Sequence, residues 1–531
     1  MISEFLQDCQ KVSGVSQVMH ESQTLARYHA SISGEQRRIA GCVRPGSVAE
    51  VQEIVRLANR YRTPIYPIST GKNWGLGSAL PVRDGAVILD LGRLNKIREV
   101  NTRYGYAVIE PGVTQQQLYN YLQEKQLPYA LDLTGSAAES SIIGNILEGG
   151  LGFCGLRFEQ SSGFEVVLAD GTLLQTGYGH FENPLLQHLY RYGVGPFVDG
   201  LFVQSSFGIV TAAGISLSPL LEKQTSVICS LKEEKDFMRY VDNLGELHRK
   251  GIVHNNIKIA NYHRSKTMLC PPIYKRLKEI SPAGTSVSRE MIEKIFKDNF
   301  GPWSTVIPVK GDRRYVRLVH RQIKEALGGI AKIRVIDKDR LAFLKKLTGI
   351  FHPIPFFRYQ HAVVCAIEPL FNLSRGVPSS ATLQSLYWPT LEVPEDYRYP
   401  DTHANVGMIG YLPVIPMDGK TMVHVRDVIT SSFESRGFLP NITLNIVSHK
   451  AVLGVIDMPF DRSNPDTLRR AKQCIADVTR SLLPEGIIPQ RVGIDYMAEL
   501  IQSDDPYWKL VAKLKSSLDP NGILSPGRYH S

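Results

Sequence analysis

The sequence predicts an α+β protein made of two unlike parts, and three observations carry that reading. Up to about residue 220, short apolar strands alternate with amphipathic helices. Glycine-rich loops interrupt the alternation at 69–78, 135–155 and 192–211. After Pro219 the pattern changes to strand–helix–strand units with tight hairpins, which suits one antiparallel sheet with helices on a face. A chain of 531 residues also exceeds what a single ordinary core can fill.

Residues 1–37 read as helical and polar, and 38–45 as a short strand stopped by Pro45. Ser47 caps an amphipathic helix over 48–61, with Glu50 three residues on and Val51, Ile54, Val55 and Ala58 on one face. Strands follow at 65–68, 86–91 and 106–112, and Thr114 caps a helix to Leu122. Phe164 to Leu173 reads as a hairpin turning at Asp170-Gly171. Beyond Pro219, strands are expected at 225–231 and 253–259 with a helix over 233–250 between them. The middle, with Pro271, Pro272, Pro302 and Pro308, shows no clear period. Strands return at 406–412, 442–447 and 451–458, with helices at 420–436 and 465–482. His361 and His449 fall among apolar strand-like residues and read as core histidines. Tyr359, Tyr387 and Tyr411 read either as pocket lining or as aromatic packing.

The loop at 69–78 is the most informative stretch. Gly71, Gly75 and Gly77 permit positive φ and close backbone approach to an anion, and Ser69, Thr70, Lys72 and Asn73 add donors. That composition suits a pyrophosphate cradle or a tight surface turn. At 135–155, small residues stand where a helix would carry bulk, so something flat or another backbone lies close.

Composition narrows the class. Hydrophobic residues at 43% and charged residues at 21% describe a globular protein. The start has no basic, apolar leader, and no run is long enough to span a bilayer, so a cytoplasmic location without membrane attachment is expected. Seven scattered cysteines with no Cys-x-x-Cys pair predict reduced thiols and no metal site. The net charge of +10 comes with interspersed acids and no nucleic-acid-binding motif. A denser basic stretch at 313–346 reads as a solvated helical face or as a docking surface for an acidic partner.

Five pieces, in this order, resemble the flavoprotein family of vanillyl-alcohol oxidase and p-cresol methylhydroxylase. They are Ser69-Thr-Gly-Lys-Asn-Trp-Gly-Leu-Gly, Ser141-Ile-Ile-Gly-Asn-Ile-Leu-Glu-Gly-Gly-Leu-Gly, Glu165-Val-Val-Leu-Ala-Asp-Gly, the stretch from Gly195 to Thr211, and Asp519-Pro-Asn-Gly-Ile-Leu-Ser-Pro-Gly. The resemblance covers most of 40–220 and the last forty or so residues. It implies a two-lobed fold: an FAD-binding domain of p-cresol methylhydroxylase type over 1–220, completed by 491–531, and an antiparallel-sheet cap domain over 221–490 that binds substrate. By the same resemblance, FAD would be held by Ser69, Thr70, Gly71, Lys72, Asn73, Trp74, Gly75, Gly77 and Ser78, by Gly135, Ser136, Ser141, Ile143, Gly144 and Asn145, and by Gly208, Ile209, Val210 and Arg528. A homodimer or larger homo-oligomer is expected by the same analogy.

Carried over one position at a time, the family's acidic residue beside the flavin falls on Glu148. A carboxylate there can stabilise a cationic intermediate, take a proton from water, or raise hydride affinity; it can also simply cap or pair with an arginine. The family's two phenol-binding tyrosines fall on Leu76 and Gln490, and only the arginine, Arg491, is kept. Leucine and an amide cannot lower a phenol's pKa as two hydroxyls can, which argues against a simple 4-alkylphenol. Arg491 then either pairs with a carboxylate or carbonyl of the substrate or bridges to Asp495 one helical turn on. The usual flavin-tethering position falls on Met408, which cannot form the bond, with Tyr411 and His403 near it, so non-covalent FAD is expected. The substrate pocket is assigned to Leu76, Met408, Tyr411 and Gln490, with Glu148 and Arg491 as the catalytic pair.

The function expected is an FAD-dependent oxidase or dehydrogenase that removes a hydride from a C–H of a small alcohol, amine or activated alkyl compound. O2 or an electron carrier would take the electrons. The rivals are a tailoring oxidase for a carrier-protein-bound substrate, docked on the basic stretch from Arg313, and a flavin-binding protein without catalysis.

Overall fold

A computed structural model of the protein describes residues 2–29 and 31–530. The N-terminal part rests on two sheets. The first contains β1 (Val18–Met19), β2 (Gly41–Val43), β3 (Ile65–Ile68) and β4 (Val87–Asp90), in the order β1-β2-β4-β3. β2 and β3 both run parallel to β4. Parallel neighbours need a crossover, and the helix Val48–Tyr61 provides one between β2 and β3. Its start is fixed as the capping pattern requires: Ser47 Oγ accepts from the Glu50 amide, and the Glu50 carboxylate accepts from the Gly46 amide.

The second sheet holds β5 (Ile97–Asn101), β6 (Tyr106–Ile109), β8 (Ser161–Val167), β9 (Leu173–Gln175) and β10 (Ile209–Ser216), in the order β5-β6-β10-β8-β9. β7 (Tyr129–Ala130) pairs separately with β11 (Ser218–Pro219). The C-terminal motif returns here. The Ile65 amide donates to Ile523 O, and the Ser525 amide donates to Ile65 O. Behind it, the buried Lys515 ammonium donates to Ser206 O, Leu524 O and the Asp519 carboxylate, pinning the chain end to the 204–210 loop.

The remaining strands form one antiparallel sheet: β12 (Lys223–Leu231), β13 (Ile257–Asn261), β14 (Trp303–Gly311), β15 (Ala331–Ile336), β16 (Gly407–Pro416), β17 (Asn441–Ile446), β18 (Ala451–Phe460) and β19 (Pro489–Arg491). Their order is β15-β12-β14-β13-β17-β18-β16-β19. Side chains alternate between faces along a strand. Val227, Cys229, Ile257, Ile259, Ile409, Tyr411, Ile442 and Leu444 pack in one core with residues of the helices Phe237–Arg249, Arg313–Leu327, Gly419–Ser435 and Pro465–Leu482. Each such aliphatic or aromatic side chain contributes about 1.5–3 kcal/mol on burial. The residues between them face the other way.

Several expectations are corrected. Residues 1–37 are not one helical run: β1 separates the helices Ile2–Ser13 and Ser22–His29. The middle is well ordered in secondary structure, because Pro271 and Pro272 sit inside the helix Tyr262–Ile280, and Pro369 sits inside Pro355–Ser374. Pro308 lies in β14 beyond the last residue paired with β13, so its missing N–H breaks no bond on that side. His361 lies on the helix Pro355–Ser374, and His449 is exposed in the turn between β17 and β18, so neither is a strand histidine.

Candidate active site

A cavity of about 880 Å³ runs between the glycine-rich loops and the open face of the eight-stranded sheet. Its loop wall contains Ser69, Thr70, Gly71, Lys72, Asn73, Trp74, Leu76 and Ser78, then Gly135, Ser136, Ser141, Ile143, Gly144 and Asn145, and finally Gly208, Ile209, Val210 and Arg528. The structure thus brings together segments far apart in the chain. The helix Ile142–Leu147 is capped by Ser141, whose Oγ accepts from the Gly144 amide. A Cβ on Gly144 would lie 2.3 Å from Ser69 Oγ, so glycine lets this helix touch the first loop. Gly71 has φ +67, which the turn after β3 requires.

Gly75 and Gly77 are not among the residues that line the cavity. A Cβ on Gly75 would meet Met408 Cε at 3.0 Å and the Gly410 amide at 3.2 Å, and one on Gly77 would meet Ile494 at 2.8 Å. Glycine at these two positions admits the cap strand and the 492–494 segment.

The donor set fits FAD. Among the described residues, the amides of Gly71, Lys72, Asn73 and Trp74 make no hydrogen bond, and Trp74 Nε1, Ser78 Oγ and Ser206 Oγ are buried without a partner. A run of unused amides on a positive-φ turn is an anion nest. Lys72 lies over the Trp74 and Tyr399 rings at 5.3 and 5.1 Å. Burial lowers its pKa, opposed by Asp401 and Glu139.

Glu148 and Arg528 meet on this wall. Arg528 donates to Glu148 Oε1 and to the Tyr66 hydroxyl. Burial pushes the Tyr66 phenol up, with Arg528 working in the opposite direction. Arg491 is not on a helix with Asp495. It ends β19, at the edge of the cap sheet, and its Nη2 donates to Asn73 Oδ1 at 2.7 Å. Asp495 pairs with Arg37 and Lys472 instead. Arg491 Nε has no partner. Gln490 donates to Gly149 O at 2.7 Å.

On the cap wall, Met408, Gly410 and Leu412 of β16 line the cavity. Tyr411 does not: three residues from Met408 on one strand, it necessarily points to the opposite face, into the helix-covered core. Tyr359 and Tyr387 are also absent from the lining. His403 lies outside it as well, against the Tyr387 ring at 5.7 Å. None of Tyr359, Tyr387, His403 and Tyr411 lines the cavity beside Met408.

Five charged cavity residues escaped the sequence reading: Lys258 on β13, Arg264 on the helix Tyr262–Ile280, Asp457 on β18, Arg334 on β15 and Arg340 on the helix Lys338–Ile350. Arg264 and Asp457 form a buried ion pair, leaving Arg264 Nε and Asp457 Oδ1 unsatisfied. Burial raises the Asp457 pKa against the pull of Arg264. Among the described residues the Lys258 ammonium makes no ion pair or hydrogen bond; its Nζ lies 3.5 Å from the Phe153 ring centroid, and burial pushes its pKa down to about 8. The available signal was a single polar residue inside an otherwise apolar strand (Lys258, Asp457) and the alternation of Thr443 and Asn445 on β17, which mark a sheet face turned toward something polar.

A two-part fold whose loops form an anion nest beneath an antiparallel cap defines an FAD-dependent oxidoreductase. Comparison with known proteins agrees. The model of the FAD binding domain matches residues 39–177. The chain is 30% identical over 527 residues to 1'-carboxy-chondrochloren decarboxylase of Chondromyces crocatus, covering 98% of this chain and 95% of that protein. It is 28% identical over 526 residues to the flavoprotein subunit of 4-cresol dehydrogenase (hydroxylating) of Pseudomonas putida, covering 97% and 93%. The crystal structure of p-cresol methylhydroxylase with substrate bound superimposes with a TM-score of 0.83 at 26% identity, covering 99% of this chain and 96% of that one. The chain belongs to the p-cresol methylhydroxylase family of FAD-dependent oxidoreductases. Among the described residues no helix is long and apolar enough to cross a membrane.

Proposed function

We propose that the protein oxidises a C–H bond of an organic substrate bearing a carbonyl or carboxylate, which Arg491 orients, and that simple 4-alkylphenols are poor substrates. The observation that carries this reading is the unpaired Nε of Arg491 on a cavity wall where Leu76 and Gln490 offer no phenolic hydroxyl. A guanidinium held by Asn73, with donors to spare, suits a planar oxygen acceptor. The decarboxylase among the relatives is named for a carboxylated substrate, which supports the same chemistry.

FAD, held without a covalent bond, supplies the two-electron acceptor when bound. The loop wall holds its pyrophosphate with the amides of 71–74, and Ser78 and Ser206 offer hydroxyls. Glu148 is anchored by Arg528. Held by that pairing, its carboxylate serves to stabilise positive charge developing on the substrate. Leu76, Met408 and Leu412 exclude water from the reacting carbon.

Anaerobic mixing of the FAD-loaded protein with matched aryl-alkyl alcohols, with and without a carboxylate, tests the reading through loss of flavin absorbance. The carboxylated compound should bleach the flavin at least about tenfold faster, as one charge-assisted hydrogen bond implies, and Arg491→Met should abolish that preference. Faster bleaching by p-cresol than by any carboxylated compound would overturn it.

A further inference from the structure

We propose that Lys258 is the anion-binding group of a second, distal subsite in the cavity, which takes a carboxylate carried on an apolar chain. The inference rests on the reading above that this cavity receives the substrate, and it adds a recognition group far from Arg491. Lys258 and Arg491 stand on strands four places apart in the cap sheet, β13-β17-β18-β16-β19. That is roughly 19 Å at about 4.8 Å per step. The two cations therefore address different parts of one ligand.

The geometry is that of an incomplete ion pair. Lys258 is directly opposite Asn445 on β17 and Val306 on β14, and all three residues line the cavity. No carboxylate bonds to its ammonium. The groups facing it are the Phe153 ring, the Cys154 thiol and Asp132, and the Arg264–Asp457 pair, Arg334 (opposite Ile228) and Arg340 line the same cavity. Asp132 is already committed to the Phe153 and Cys154 amides and to Gln160. A ring face offsets only part of the cost of a desolvated ammonium. An anionic oxygen arriving in the cavity would supply the rest. The adjoining lane is apolar: Ile228 and Val306 from the sheet, Met268 from one helix, Val363, Val364 and Ile367 from another. A carboxylate with a hydrocarbon body satisfies both features, whereas a small inorganic anion would leave the lane bare.

Calorimetric titration of the FAD-loaded protein with octanoate and with octan-1-ol tests this. Octanoate should bind, and Lys258→Met should weaken it at least about tenfold while leaving octanol unchanged. Wild-type affinity for octanoate should fall with rising pH above about 8, where the amine loses its proton. Lys258→Arg should keep the affinity and remove that pH dependence, which separates Lys258 from the other charged groups around it. Arg491→Met should leave octanoate binding in place. Absence of octanoate binding, equal affinities in wild type and Lys258→Met, or loss only in Arg491→Met would each overturn the proposal. The flavin-bleaching preference assigned to Arg491 is read separately and can stand or fail without this one.

Discussion

The two walls of the cavity treat buried charge differently. On the loop wall Arg528 has Glu148 and Tyr66, and behind it Lys515 has Asp519 and two carbonyls; Lys72, stacked over Trp74 and Tyr399, makes no ion pair among the described residues and faces the anion nest. Arg157, buried beneath the loops, donates to Asp132 O, Gln115 and Asn145. On the cap wall Lys258 has no anion, and the Arg264–Asp457 pair leaves an atom unsatisfied on each side. The loop wall meets the same dinucleotide in every catalytic cycle and can be completed by the protein itself. On the function proposed above, the cap wall takes up and releases the substrate, so it keeps unfilled hydrogen-bonding positions whose desolvation cost the ligand offsets.

The largest effects should break the loop wall. Gly71→Val places a β-branched residue at φ +67 with its Cβ about 3 Å from that of Ala79. It should purify with flavin absorbance reduced at least about tenfold, whereas Gly410→Ala on the cap wall, whose Cβ meets only Leu412 at 3.4 Å and Gly75 O at 3.9 Å, should stay yellow. Acid precipitation of the wild type should release its yellow colour into the supernatant; colour retained in the pellet would show a covalent link and sink the assignment of Met408 as a non-tethering residue.

Next come the ion pairs. Arg528→Met strands the Glu148 carboxylate and should destabilise the protein by about 3 kcal/mol in urea unfolding at neutral pH. Arg264→Met should cost less, about 1–2 kcal/mol at pH 5, because Asp457 already has its pKa raised by burial above 3.8 and can stay protonated. The sign follows by linkage. A carboxyl whose folded pKa is raised holds its proton longer in the folded state, so stability from that proton is present at low pH and is lost as pH rises through the folded value. Arg264→Met should therefore lose stability more steeply than wild type between about pH 4 and pH 7. A flat difference would mean Asp457 finds another cation. The smallest effect belongs to the surface: charge reversal of Arg313, Arg314 and Arg317 should change stability within about 0.5 kcal/mol. That helix packs on the side of the sheet away from the cavity, and Arg313 bonds only the exposed Glu222.

How much was legible in the sequence follows the same division. The glycine loops, the Ser47 and Ser141 caps, the Asp170-Gly171 turn and the alternating strands at 407–416 and 441–460 are local: each depends on φ angles, caps or a two-residue period that neighbouring residues dictate. What the chain order could not supply was which distant backbones touch. Gly75 and Gly77 look like the rest of the cradle, yet cap-strand and 492–494 contacts claim them. Tyr411 looked like a pocket residue until the register of β16 turned it to the other face, and Arg491 looked helical until β19 paired with β16. Lys258 carried no motif at all; only the assembled sheet, by leaving its ammonium facing a cavity without a counter-ion, gave it meaning. Local sequence determined the elements and the dinucleotide cradle because backbone sterics act over a few residues. The tertiary structure alone decided the substrate wall, because burial and charge pairing are properties of segments separated by hundreds of residues in the chain.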